Sequence, residues 1–370
     1  MSDLKWLVVL ALLSDPVVAK AQEYTIIELA APDLGSSVGQ GINASGEVAG
    51  YVGSENDEIV TAFTYKNGVM QYLNSIGANS YGHGINSSGQ VTGSVFVTGN
   101  SYIPGSTEHA FVYSKGTMQD LGTLGGADSQ GYGINASGQV TGDSYTAGNA
   151  DRAFLYSNGA MQDLGTLGGG TSMGTGINDS GQVTGSSSTA GNAATRAFLY
   201  SNGTMQDLGT LGGTNSYGFG INASGEVTGY AATANNAFSH AFLYTNGKME
   251  DLGTLGGLSS IGLAVNGNGE VTGYAFTTAG ALHAFLYSNG TMSDLNSLLT
   301  GDAASLYTLT SGEAINDRGQ ILVQGFENAT GGSHAFLLTP ITTRMLACPA
   351  VTVQSPFGSY SNNRCRLPTF

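Results

Sequence analysis

Charge is scarce in this chain. Only 10% of its 370 residues are charged, and Lys and Arg together number 11. Nucleic-acid binding needs a cationic face that displaces condensed counterions; too few bases are present to build one, so nucleic acid is excluded as a partner. The formal charge of −15 is spread along the chain, which suits solubility better than a dedicated acidic patch. Cysteine is nearly missing: Cys348 and Cys365 are the two copies, and both lie in the C-terminal tail. No disulfide framework can organise the main body. Helical periodicity is missing too, since no stretch after residue 22 keeps a 3.6-residue apolar period for three turns. Long apolar runs are confined to Trp6–Leu13, which Asp15 and Pro16 end early. A spanning helix needs about 20 apolar residues, so no transmembrane segment is expected. No nucleophile elbow, zinc signature or phosphate loop occurs, and no cofactor is implied.

Glycine is abundant instead, with 58 copies beside 41% hydrophobic residues. Short apolar runs punctuated by glycine suit an all-β fold with many tight turns. At the N-terminus Lys5, the short apolar run and the small-x-small site Ala19-Lys20-Ala21 read as a signal peptide over residues 1–21. Export implies an oxidising environment, in which Cys348 and Cys365 are expected to pair. The tail holds no His and no acid, which argues against a metal there.

One unit recurs: G-x-G-I-N-x-S-G-Q-V-T-G, a spacer, then H/R-A-F-L-Y-S-N-G-x-M-Q-D-L-G-T-L-G-G. Its Asn falls at 43, 86, 135, 178, 222, 266 and 316, and its Phe at 63, 111, 154, 198, 242, 285 and 336. Seven copies, mostly 43 to 44 residues apart, match a four-stranded propeller blade. The strands are read as a (Gly131–Asn135), b (Gln139–Gly142), c (Ala153–Tyr156) and d (Met161–Leu164). Asn-Gly between c and d predicts a type I′ hairpin. That hairpin pairs Tyr156 with Met161 and Phe154 with Asp163, with Arg152 diagonal to Asp163.

The chain ends are complementary. The seventh unit stops after Phe336-Leu337-Leu338 and lacks strand d. Tyr24–Leu29 looks like a strand d without a preceding c, because Leu29 lies 14 residues before Asn43, as Leu121, Leu164, Leu208 and Leu252 lie 14 before the next Asn. Pairing the two ends completes the seventh blade and removes exposed sheet edges. The expected architecture is therefore an all-β, seven-bladed propeller of four-stranded antiparallel blades over residues 22–340, followed by a tail at 341–370.

These units resemble the HAF repeats of bacterial extracellular proteins. The signature stands as His-Ala-Phe at His109, His240, His283 and His334, and the likeness covers about residues 24 to 340. Thr61, Arg152 and Arg196 replace the His elsewhere, and Tyr72 stands in unit one where others have Asp. The resemblance implies export and a repeat scaffold; it implies no reaction.

Four of the five histidines occupy one repeat position and cannot meet in one site. The repeated Asp120, Asp163, Asp207, Asp251 and Asp294 fall on the outer strand, where tying c to d suits them better than binding calcium. His83 differs. It sits at a position that varies between units: Gln40, His83, Tyr132, Thr175, Phe219, Leu263 and Glu313. Strand a should be innermost, so these residues lie near the channel mouth, as a specific site or as relaxed packing. The b–c and d–a loops should share one face and carry the length variation: Gly93–Ala110, which contains Tyr102 and Pro104, and the link from Leu295 to Asn316. Insertions on one face of a repeat array often mark the binding face. Tyr81, Tyr102, Tyr132, Tyr217 and Tyr307 read either as sugar platforms there or as ordinary strand-end tyrosines. Asn-x-Ser/Thr triplets coincide with turns, and turn chemistry accounts for them. Three functions follow: a non-enzymatic, monomeric, secreted module binding an extracellular glycan or protein; a carbohydrate lyase or hydrolase using His83, Tyr132 and Glu313; or a purely structural repeat.

Overall fold

The computed structural model describes residues 22–29, 36–53, 59–77, 79–98 and 106–341, with two short strands at Thr352–Ser355 and Gly358–Ser361. Residues 1–21, Tyr102, Pro104, Cys348 and Cys365 lie outside the described residues, as do the leader and the disulfide expected there. The two tail strands pair with each other antiparallel, in a unit of their own.

Seven four-stranded antiparallel sheets make a seven-bladed β-propeller. Blades 1 to 6 begin at Ser36, Ser80, Gly125, Gly168, Gly212 and Gly256, and each runs a-b-c-d in chain order. Blade 7 takes strands a to c from Tyr307–Pro340 and its fourth strand from Tyr24–Glu28. In blade 3 the strands are Gly125–Ile134, Val140–Thr146, Asp151–Ser157 and Ala160–Asp163. Strand a is thus longer than the expected Gly131–Asn135, because the Gly-Gly segment that ends the repeat unit already joins the ladder, Gly125 opposite Thr146. The hairpin register is as expected: Phe154 faces Asp163 and Tyr156 faces Met161. Asn158 and Gly159 take φ of 53° and 80°, the left-handed pair that a type I′ turn requires.

Seven apolar clusters fill the fold, one at each blade-to-blade seam. Each is centred on a fully buried Phe from strand c, which packs on small residues of the blade before it. Phe111 of blade 2, for example, lies with Ala49, Ala62 and Leu73 of blade 1. The V-T-G of strand b has its own purpose. Thr141 Oγ1 donates to the Phe154 carbonyl at 2.8 Å. A Cβ on Gly174 in the next blade would stand 2.3 Å from that same oxygen, so only glycine lets the blades approach this closely.

Closure follows the complementarity of the ends. Strand Tyr24–Glu28 pairs with Ser333–Pro340, Glu28 opposite Phe336. The Leu29 N–H donates to the Ala335 carbonyl at 2.8 Å, as Leu121, Leu164, Leu208 and Leu252 donate to Ala110, Ala153, Ala197 and Ala241. Across strands c and d, His109, His240 and His283 bond Asp120, Asp251 and Asp294 at 2.6–2.9 Å, and Arg152 and Arg196 lie 3.8 and 3.7 Å from Asp163 and Asp207. In blade 7 the partner of His334 is Glu28, from the other end of the chain, at 3.7 Å. The long link before blade 7 belongs to this seam. Its Leu295 and Leu298 are buried with Tyr24, and the Thr300 N–H donates to the Tyr24 carbonyl at 3.3 Å. That insertion therefore seals the ring instead of building a binding face.

The repeated Asn is more than a turn residue. Asn43, Asn86, Asn135, Asn178, Asn222, Asn266 and Asn316 are at most 5% exposed. Each Nδ2 donates to the carbonyl of the Asn in the next blade at 2.9–3.2 Å, and Asn316 returns the bond to Asn43. The second Nδ2 hydrogen goes to the Gln or Glu four residues on, as from Asn178 to Gln182 Oε1 at 2.7 Å. Oδ1 accepts from two backbone amides of its own turn, Ser180 and Gln182 in blade 4. All four side-chain hydrogen-bonding capacities are filled. Asn178→Ala would remove the inter-blade bond to the Asn222 carbonyl, which keeps only the Gly225 N–H, and would take the acceptor from the Ser180 and Gln182 amides. The expected loss of unfolding free energy is on the order of 2–4 kcal/mol, to be measured by urea denaturation. A loss below about 0.5 kcal/mol, typical of a surface change, would contradict the belt's role.

Candidate functional site

Every strand a carries a β-bulge at one repeat position. The register shifts between Gly39 and Gly41, Gly82 and Gly84, Gly131 and Gly133, and equivalently in the other four blades. The residue left over in each is the variable one: Gln40, His83, Tyr132, Thr175, Phe219, Leu263 and Glu313. A bulge re-aims its extra side chain out of the normal alternation. Here all seven turn into the channel and, with Met173, line one cavity of about 310 Å3. It lies above the ring of repeated Ile and Asn residues, toward the strand ends that carry the d–a links and b–c loops, the side here called upper. The lower mouth, about 270 Å3, is ringed by the repeated Ile and Asn residues and by the residue after each Asn, Asp179 and Asp317 among them. The spacing singled out these seven positions; the bulge that unites them left no separate mark in the sequence.

His83, Tyr132 and Glu313 share this cavity. The His83 and Tyr132 rings stack, with centroids 5.3 Å apart and planes at 22°. His83 Nδ1 lies 2.9 Å from the Gly131 carbonyl, which can only accept, so Nδ1 carries the proton. Burial holds this imidazole below its usual pKa, against the raising effect of that bond. Tyr132 donates its phenol proton to Gln130 Oε1 at 2.6 Å, and Gln130 Nε2 donates to Glu108 at 2.7 Å. Burial, then the nearby Asp143 carboxyl, pushes the Tyr132 phenol well above its ordinary range. Burial likewise raises the Glu313 carboxyl, which the Ser311 hydroxyl partly offsets.

The tyrosines divide. Tyr217 stacks on Tyr230 at 4.8 Å, and Tyr230 lies 5.9 Å from Phe219, so this column reaches the cavity wall. Tyr81 lies edge-on to Tyr51 at 5.0 Å, away from the lining. Tyr307 is half-buried, and its ring packs 4.8 Å from the buried Phe336 beside the closing strand.

One variable position was missed by reading strand a alone. Directly opposite Val38, Tyr81, Gln130 and their equivalents stand Tyr51, Ser94, Asp143, Ser186, Tyr230, Tyr274 and Gln324 on strand b. Six of them follow the strand-b glycine and Gln324 follows Val323, and variation at that place was the available signal. Asp143 is the consequential member. Burial, then repulsion from Asp151, raises its pKa from 3.8 to about 7. A carboxyl held this way binds its proton more tightly folded than unfolded. Its stabilising effect is complete below about pH 4 and is lost as pH rises through 7. In thermal melts across pH, Asp143→Asn should gain on the native protein between pH 4 and 8. A native protein that gained on the variant over that interval would contradict the assignment.

No protein-family model matches this chain, and no curated protein matches it in sequence. Solved structures resemble it in fold. The β-propeller domain of the Trilobed protease from Pyrococcus furiosus matches with a TM-score of 0.55 and 10% identity, over 82% of this chain and 97% of that one. The Pyrococcus horikoshii acylaminoacyl peptidase matches with a TM-score of 0.52 and 10% identity, over 82% of this chain and 51% of the peptidase. At such identities the likeness concerns architecture alone: the chain is a β-propeller similar in fold to the propeller domains of these peptidases.

Proposed function

We propose that this chain is an exported repeat protein of the HAF type that binds a glycan at the upper mouth of its channel, without chemistry of its own. One observation carries the reading. Seven positions at which the repeat varies, one from each blade, converge on a single cavity. An otherwise regular scaffold gains a ring of seven different side chains there. The walls combine aromatic faces (His83, Tyr132, Phe219) with hydrogen-bonding groups (Gln40, Thr175, Glu313), the mixture that holds sugar rings by stacking and hydroxyl contacts.

The same residues are poorly arranged for hydrolysis or elimination. Glycoside hydrolysis commonly uses a pair of carboxyl groups flanking the bond, and among the described lining residues Glu313 alone carries a carboxyl. Tyr132 spends its proton on Gln130 and has a raised pKa, the opposite of what a tyrosine base requires.

A glycan array followed by titration calorimetry tests this. Saturable binding is expected, weakened about tenfold by Phe219→Ala through lost stacking, with an unchanged melting temperature. No new reducing ends or unsaturated sugars should appear. Turnover by the native protein that Glu313→Gln abolishes would replace the binding reading with an enzymatic one.

A further inference from the structure

Among the described residues that line the cavity, Glu313 is acidic and none is Lys or Arg. The Glu313 carboxyl has the Ser311 hydroxyl as a hydrogen-bond partner. Among the described residues it forms no ion pair. Going round the ring from blade 7, Gln40, His83 and Tyr132 follow in blades 1, 2 and 3. His83 is held neutral by its burial, so it supplies no compensating charge. Behind Tyr132, close enough to shift its phenol, stand Asp143, Glu108 and Asp151.

We propose that the cavity selects a sugar bearing a free amine, its ammonium on Glu313 and its ring against the Tyr132–His83 wall. This rests on the reading of the upper mouth as a glycan site and narrows it to one substrate class. A half-buried carboxylate without a cation is unfavourable alone and becomes favourable when a ligand brings the cation. A charge-assisted hydrogen bond is about twice as strong as a neutral one. Acetylating the amine removes that charge and adds bulk. A cavity of about 310 Å3 admits a sugar ring or two, at the low end of the range of small-molecule pockets, about 300–1,000 Å3. The formal charge of −15 would also draw a polyamine sugar toward the protein.

The test is titration calorimetry of the full chain near neutral pH and at physiological salt, which screens long-range attraction. The probes are the β-1,4-linked glucosamine tetramer and its fully N-acetylated counterpart, against native protein and Glu313→Gln. The free amine should bind the native protein at least about tenfold more tightly. Glu313→Gln should remove that preference while still binding the acetylated sugar. Equal or tighter binding of the acetylated tetramer would overturn the amine assignment and leave the glycan site standing. A preference that survived in Glu313→Gln would trace to general attraction and would also overturn it. Binding of neither tetramer would overturn the amine assignment, and a blank glycan array beside it would remove the glycan reading as well.

Discussion

Seven buried asparagines each pass one hydrogen bond to the backbone of the next blade, and the seventh returns it to the first. This belt sets the geometry on which the rest depends. An asparagine amide has two donors and two acceptor sites, and here each is used: one donor between blades, one donor and both acceptor sites within its own turn. The Asn-x-Ser-Gly-Gln repeat is therefore a complete wiring unit, because the Gln or Glu four residues on is needed to finish the set. A belt of this kind tolerates no missing member, since an unpaired buried polar group costs more than a paired one contributes. It also demands closure. The Asn316 bond to Asn43 exists only if blade 7 stands beside blade 1, and Tyr24–Glu28 completes that blade.

A scaffold so uniform leaves little freedom for function, and the bulge supplies it. In each strand a, one residue drops out of the ladder and turns into the channel, while the backbone beside it stays in register. Gly142 shows how tightly the surroundings are fixed: a Cβ there would fall 1.7 Å from the Gln130 carbonyl oxygen. The bulged side chain escapes this constraint. Glutamine, histidine, tyrosine, threonine, phenylalanine, leucine and glutamate all occupy the same place without disturbing a seam. Structure and function are thus divided by position: Asn, Phe, Thr and Gly hold the ring, and the bulge residues furnish the cavity.

Much of this was legible in the sequence, for a physical reason. Repeats sample the same local geometry seven times, so the blade count, the c–d hairpin register and the fourth strand supplied by Tyr24–Leu29 could be read from spacing alone. Gln40, His83, Tyr132 and their equivalents were marked by their variation. What escaped was relational. The Asn belt joins residues on neighbouring blades, and turn chemistry already accounted for each Asn. Asp143 looked like one acid among many until Asp151 and Tyr132 were found beside it. Tyr307 looked like the other strand-end tyrosines because the packing of the closing seam, with Phe336, Leu298 and Tyr24, is written in three distant parts of the chain. The link after Leu295 misled for the same reason: its added length serves that seam.

Native-state hydrogen exchange at the closing strand tests the account most directly. The Leu29 amide, bonded to Ala335, should be as strongly protected as the equivalent Leu164 amide bonded to Ala153, both opening only with global unfolding. Fast exchange at Leu29 while Leu164 stays protected would mean that the ring is not shut by its N-terminal strand, and the closed belt would fall with it.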